Sequence, residues 1–141
     1  MLQLRQWCWK ELKLSWKLRT GLTINIENMA DWVIYNDIFV DGECDLPIKQ
    51  ILASPPYDRP MTFLDLGASV GFFASRVADL ILRSENPKAN FQLFLAEGSP
   101  TVYDRLKSRL NEPLISNRVK AFHGRVEDVM DMQKYLRLIF M

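Results

Sequence analysis

The chain has 141 residues, is 48% hydrophobic and 25% charged, and carries a net charge of +1. That leaves room for one domain with a modest core, argues against wholesale disorder, and gives no reason to expect a polyanionic partner for the whole protein. No apolar run approaches the ~20 residues that cross a bilayer, and no signal-peptide stretch opens the chain, so a cytoplasmic protein is expected. Cys8 and Cys44 lie far apart and match no metal-ligand spacing, which fits idle thiols in a reducing compartment and gives no metal site.

Positive charge is concentrated at the start. Arg5, Lys10, Lys13, Lys17 and Arg19 face Glu11 alone, a local balance of +4 over residues 1–20. Trp7, Trp9 and Trp16 among these lysines fit either a basic amphipathic helix at a membrane surface or a solvated hairpin face. Leu12, Leu14, Trp16 and Leu18 alternate with polar residues, as do Leu22, Ile24 and Ile26. With Arg19-Thr20-Gly21 as a turn between them, the period of two favours a β-hairpin. Asp31 is a candidate N-cap for a short segment whose Trp32, Tyr35 and Phe39 either pack on a sheet or form a lid. Asp41-Gly42 reads as a turn. Asp45 is expected to cap a helix to about Leu52, with Pro47 tolerated in its first turn. The breaker cluster at residues 54–60 closes this lead-in, so the expected division is 1–60 and 61–141.

From residue 61 the pattern becomes strand, helix, strand, helix, strand. Residues 61–66 and 91–96 are short buried-type strands. Phe73, Val77, Leu80 and Ile81 recur at helical spacing within 70–83. Ser99-Pro100 opens a second helix to about Leu110, which Pro113 ends, and 119–122 is a third strand. This alternation predicts an α/β fold with a Rossmann-like parallel sheet of about three strands, preceded by the N-terminal hairpin.

The chemistry is concentrated in Asp65-Leu-Gly-Ala-Ser-Val-Gly-Phe-Phe. Gly67 and Gly71 flank a strand-to-helix turn, where missing side chains admit unusual dihedrals and close approach of a ligand to the backbone. N–H groups opening the next helix point at that ligand. Asp65 at the strand's end faces a cationic or donor group, and Glu97 at the tip of the next strand can accept hydrogen bonds from both ribose hydroxyls. Together they read as a nucleoside-binding constellation; the plain alternative is an empty glycine turn with Glu97 capping a helix. The glycines read G-x-x-x-G, with Ser69 where a dinucleotide fingerprint needs its second glycine, and no Gly-Lys-Ser/Thr follows to make a P-loop.

This run resembles motif I of class I S-adenosylmethionine-dependent methyltransferases, and more narrowly the FkbM-like family's D-x-G-A-N-x-G-[FY]. Ala96-Glu97-Gly98-Ser99-Pro100 is similar to that family's E-P-x-P segment, and residues 31–45 resemble its lead-in, with Cys44 where an aromatic often stands. The resemblance covers roughly residues 20–126. It implies that Gly67 and Gly71 line the methionine end of S-adenosylmethionine with Asp65 nearby, and that Ala68, Ser69 and Phe72 also contact the cofactor. It also implies that Glu97 holds the ribose hydroxyls, with Gly98 a further cofactor-binding residue, and that residues 124–127, Val126 among them, flank the adenine. Ser69 stands for the family's usual Asn, Gly98 for a Pro, and Arg125 where many class I members are acidic.

The resemblance further implies methyl transfer to an oxygen of a small-molecule or glycan acceptor, with no nucleic-acid partner and no catalytic base assigned. A complete core of this type has seven strands, so the chain is expected to be truncated before its acceptor side. The tail, residues 127–141, has the spacing of a final helix, with 135–140 as an alternative fourth strand. An unpartnered edge on the first strand would then favour a homodimer, poor solubility, or cover by the N-terminal hairpin. His123, the single histidine, is either a base near the cofactor or a packed strand-end residue. The competing functions are a non-catalytic truncated or pseudoenzyme module acting by association, and a nicotinamide-binding domain.

Overall fold

The computed structural model describes residues 2–53, 60–85 and 90–125. It opens on a helix, α1 (Leu2–Leu12), before the hairpin strands β1 (Leu14–Lys17) and β2 (Thr23–Ile26). The hairpin expectation holds, but Leu12 belongs to the helix. Lys13, at φ 39°, breaks the helical run between them. The turn falls where Arg19-Thr20-Gly21 predicted. The Leu18 N–H donates to the Leu22 carbonyl at 2.8 Å and the Gly21 N–H to the Leu18 carbonyl at 3.0 Å, with Gly21 at φ 95°.

Next come α2 (Met29–Tyr35), a π-helical turn over Asn36–Val40, and α3 (Asp45–Leu52). Two capping expectations are corrected. Asn28 caps α2: its backbone is extended and its side-chain oxygen accepts from the Asp31 N–H at 2.9 Å. Asp31 sits one turn in, and its carboxylate reaches back to the Glu27 N–H at 3.0 Å, a variant of the reciprocal capping box. Asp45 is the first residue of α3, with Cys44 at the cap position and no side-chain cap bond. Its carboxylate is occupied elsewhere. Arg76 takes both oxygens at 2.7 Å, and Lys49 adds 3.1 Å.

The remaining elements are β3 (Met61–Leu66), α4 (Phe72–Leu82), β4 (Phe91–Glu97), α5 (Pro100–Arg109) and β5 (Val119–His123). They make a parallel sheet in the order β3-β4-β5, with Phe63 opposite Leu93 and Glu97 opposite His123. Strand alternation sends Phe63, Leu93 and Leu95 to one face. There they form a core with Ala74, Val77, Ala78 and Ile81 of α4 and Leu106 of α5. Leu22 and Ile48 join that core, so the lead-in is packed into it. The predicted α/β architecture is therefore observed: a parallel β-α-β-α-β unit of Rossmann-like type, with a separate antiparallel hairpin.

The hairpin does not cover the edge of β3, contrary to one expectation above, because β1 and β2 form their own sheet. Its buried face, Ile24 and Ile26, docks instead on Val70 and Phe72 and on the aromatic lead-in. Trp16 stacks on Tyr35 at 5.3 Å and Tyr35 on Phe39 at 5.2 Å, and Phe39 meets Phe72 edge-on at 6.4 Å. Of the two readings for Trp32, Tyr35 and Phe39, the packed one describes them. Among the described residues β3 has no strand on its outer side, and Leu64 and Leu66 on the second sheet face are exposed. The tail at 127–141 and the breaker residues 54–59 lie outside the described residues.

A buried polar cluster joins α3, α4 and the hairpin turn. Arg76 bridges Asp45 and Asp79, and the Thr20 hydroxyl donates to Asp79 at 2.9 Å. The hydrogen bonds from Arg76 hold the Asp45 carboxyl below its ordinary value. A depressed folded-state value stabilises the fold above the unfolded value, and that contribution is lost as pH falls through the folded one. Asp45→Asn is therefore expected to destabilise the chain at neutral pH, and less so below pH ~4, which parallel acid titrations by circular dichroism will check.

Candidate functional site

Because the three strands are parallel and in register, their carboxyl ends lie together. Asp65, the glycine turn, Glu97 and His123 are thereby gathered at one end of the sheet. The turn leaves β3 through hydrogen bonds from the N–H groups of Gly67 and Ala68 to the Ala96 carbonyl, both at 2.9 Å. Three residues then take positive φ: Gly67 at 85°, Ser69 at 49° and Gly71 at 85°. Ser69 is the strained member, since a side chain in the left-handed region costs roughly 1–2 kcal/mol. The turn alternates. Ala68, Val70 and Phe72 point into the core, while Gly67 is exposed and Ser69 half-buried.

The two motif glycines do different work. A Cβ added at Gly67 would meet nothing within 4 Å, whereas one at Gly71 would stand 2.8 Å from Leu106 Cδ1 and 3.9 Å from Leu110 Cδ2. Gly67 thus keeps a stretch of backbone open at the strand ends, and Gly71 lets α5 pack against the start of α4. Gly98 belongs to the second kind: its added Cβ would lie 3.0 Å from Arg125 Cγ.

Glu97 ties the site together. One carboxylate oxygen accepts from the Ser69 N–H at 2.9 Å, the other from the Ser99 N–H at 2.7 Å. Ser99 holds the N-cap position of α5, but its own side chain makes no cap bond. Glu97 fixes the backbone of Ser99 itself, just ahead of the helix, and also orients the glycine turn. Burial pushes the Asp65 carboxyl above its ordinary value, and the nearby charge of Glu97 pushes it further. Two carboxylates at one end of a sheet make a site that favours a cation or a hydroxyl-rich ligand. Cys44, from the lead-in, is within electrostatic reach of Asp65: its thiol is raised first by burial, then by the charges of Glu43, Asp65 and Asp45.

His123 is exposed, with Nε2 3.3 Å from the Gly98 carbonyl and its ring 5.3 Å from Tyr103. Phe72 is buried, with Phe39 at its edge and the Arg109 guanidinium 4.7 Å from its ring centre. Val126 lies outside the described residues. Sequence reasoning missed the hub behind the turn, in which the buried Asp31 carboxylate accepts from Arg105 and, at 3.0 Å, from Arg109. The one available signal was Asn28-x-x-Asp31, a cap pattern that would have placed Asp31 inside the helix.

No family model matches the sequence, and no curated protein does. Among solved structures the chain is similar to the precorrin-6y C5,15-methyltransferase of Geobacter metallireducens GS-15, at 16% identity and a TM-score of 0.43. The match covers 64% of this chain and 42% of that one, so the chain spans less than half of that protein. The likeness is one of overall fold, too loose to carry an argument about chemistry, and the functional reading rests on the residues at the sheet's carboxyl end.

Proposed function

We propose that the chain binds S-adenosylmethionine at the carboxyl ends of β3 and β4, as the cofactor-holding part of an FkbM-like methyltransferase. In this reading residues 61–141 hold the cofactor and residues 1–60 are its lead-in. One observation carries the proposal: the open backbone at Gly67 stands beside two carboxylates, one of them braced by the N–H groups of Ser69 and Ser99. Those residues fit the group. Space free of any side chain admits the methionine end, and the negative charge of Asp65 and Glu97 suits a sulfonium and a pair of ribose hydroxyls.

When bound, the cofactor supplies a methyl group already activated on its sulfonium. The chain's own part is placement. Gly67, Ala68 and Ser69 shape the turn along one side of the ligand, while Gly71 and Phe72 anchor that turn to α4 and α5. Glu97 retains acceptor capacity beyond the two N–H bonds it receives, and turns it toward the ribose, with Gly98 beside it; the family resemblance assigns Val126 to the base. The acceptor is an oxygen of a small molecule or glycan, and no described residue is assigned as its base.

Titration calorimetry with S-adenosylhomocysteine tests the reading. Wild-type protein is expected to bind, and Glu97→Ala to weaken binding by about tenfold or more, as loss of hydrogen bonds to a charged group should. No binding by folded wild-type protein sinks the proposal, and binding of NAD in its place would favour a nicotinamide site. A second reading, an association module, is favoured by the edge of β3, unpaired among the described residues, with Leu64 and Leu66 exposed beside it. It predicts self-association that survives Asp65→Ala.

A further inference from the structure

The glycine turn is braced from two sides, by Glu97 at the end of β4 and by side chains near the C-terminal end of α5. At the N-terminus of α5, Glu97 bonds the N–H groups of Ser69 and Ser99. At its C-terminal end, Leu106 fills the space beside Gly71, and the Arg109 guanidinium lies over the Phe72 ring at 4.7 Å. Arg109 is placed by groups from outside the sheet. Its Nη2 donates to Asp31 at 3.0 Å and lies 3.4 Å from Glu27, while its Nε is buried with no hydrogen-bond partner. Burial accordingly lowers its pKa from the usual guanidinium value, against the raising effect of Asp31 and Glu27. Asp31 also accepts from Arg105 and from the Glu27 N–H.

We infer that Arg109 is a positioning residue for the nucleoside site, holding the end of the glycine turn through Phe72 under the control of Asp31 and Glu27 in the lead-in. The inference rests on the proposed function for its ligand, but not for its mechanics. A guanidinium is planar and stacks on an aromatic face while bonding carboxylates at its edge; an ammonium satisfies the carboxylates without presenting that plane. The arrangement gives residues 27–31 a route to the cofactor turn without touching the ligand. Phe72 is buried, so the route runs through the core and not across the open backbone at Gly67.

Arg109→Lys separates this role from plain stability. The expected result is a rise in the S-adenosylhomocysteine dissociation constant of about fivefold, with faster amide hydrogen exchange at Ser69–Phe72, at a temperature where both proteins are folded. A residue that merely stabilises would lower the melting temperature and leave both readouts unchanged. A folded Arg109→Lys protein with wild-type affinity and wild-type exchange in the turn overturns the inference. Should Arg109→Lys fail to fold, Glu27→Gln decides, because Glu27 is exposed: faster exchange at the turn supports the brace, and an unchanged rate refutes it. Wild-type protein that binds no S-adenosylhomocysteine overturns the cofactor reading alone, since the exchange comparison needs no ligand.

Discussion

Replacing Asp31 with alanine is expected to lower the stability of the fold by about 3–5 kcal/mol, the usual cost of removing one partner from a buried ion pair. Asp31 is 2% exposed and accepts from three directions: the Glu27 N–H, Arg105 and Arg109. Without it, Arg109 keeps a single long contact to Glu27 at 3.4 Å, and its guanidinium remains largely out of water. Asp31→Asn should also be damaging, though less so: all three bonds fall on Oδ2, which one amide oxygen can replace, but the negative charge facing two guanidiniums is lost. Glu27→Gln, at 53% side-chain exposure, should cost less than about 1 kcal/mol. Urea unfolding will rank the three. A midpoint for Asp31→Ala close to that of Glu27→Gln would show that the hub is not what joins the lead-in to α5.

The two motif glycines should separate sharply when each becomes alanine. At Gly71 the substitution combines a left-handed backbone with a Cβ 2.8 Å from Leu106 Cδ1. Leu106 is wholly buried, so moving it aside disturbs packed core. The dihedral costs roughly 1–2 kcal/mol and overpacking a further 1–3, so Gly71→Ala is expected to lose about 2–5 kcal/mol. Gly67→Ala has the same dihedral but open space, and should lose only about 1–2 kcal/mol. Its larger effect should fall on cofactor affinity, because the new methyl enters the space assigned to the ligand. Thermal melts, with calorimetry on the folded variants, resolve the pair. Equal loss of stability at both sites would contradict the packing described for Gly71.

Much of the fold was legible in local pattern. The period-two runs around Gly21 gave a hairpin, and the alternation after residue 61 gave the parallel unit with its boundaries shifted by a residue or two. These features depend on neighbours in the chain. The first helix was less legible, because apolar and basic residues over 1–12 fit a helix as well as they fit an extended strand. The caps failed for a different reason. Asp31 and Asp45 both have cap-compatible side chains at a helix start, and local pattern cannot say that each carboxylate is wanted by an arginine far along the chain.

The same division holds at the candidate site. The chain's own order dictates that Asp65, Gly67, Gly71 and Glu97 sit at strand ends and in the turn between strand and helix, because strand polarity and glycine's dihedral freedom are properties of local sequence. Tertiary structure alone decided which glycine faces open space and which faces Leu106. It also decided that Glu97 spends an N–H bond on each of two loops, and that Arg109 braces the turn from behind. Those are distances between residues far apart in the chain, Ser69 and Glu97 by 28 positions and Glu27 and Arg109 by 82, set by the way α5 packs across the lead-in and the glycine turn.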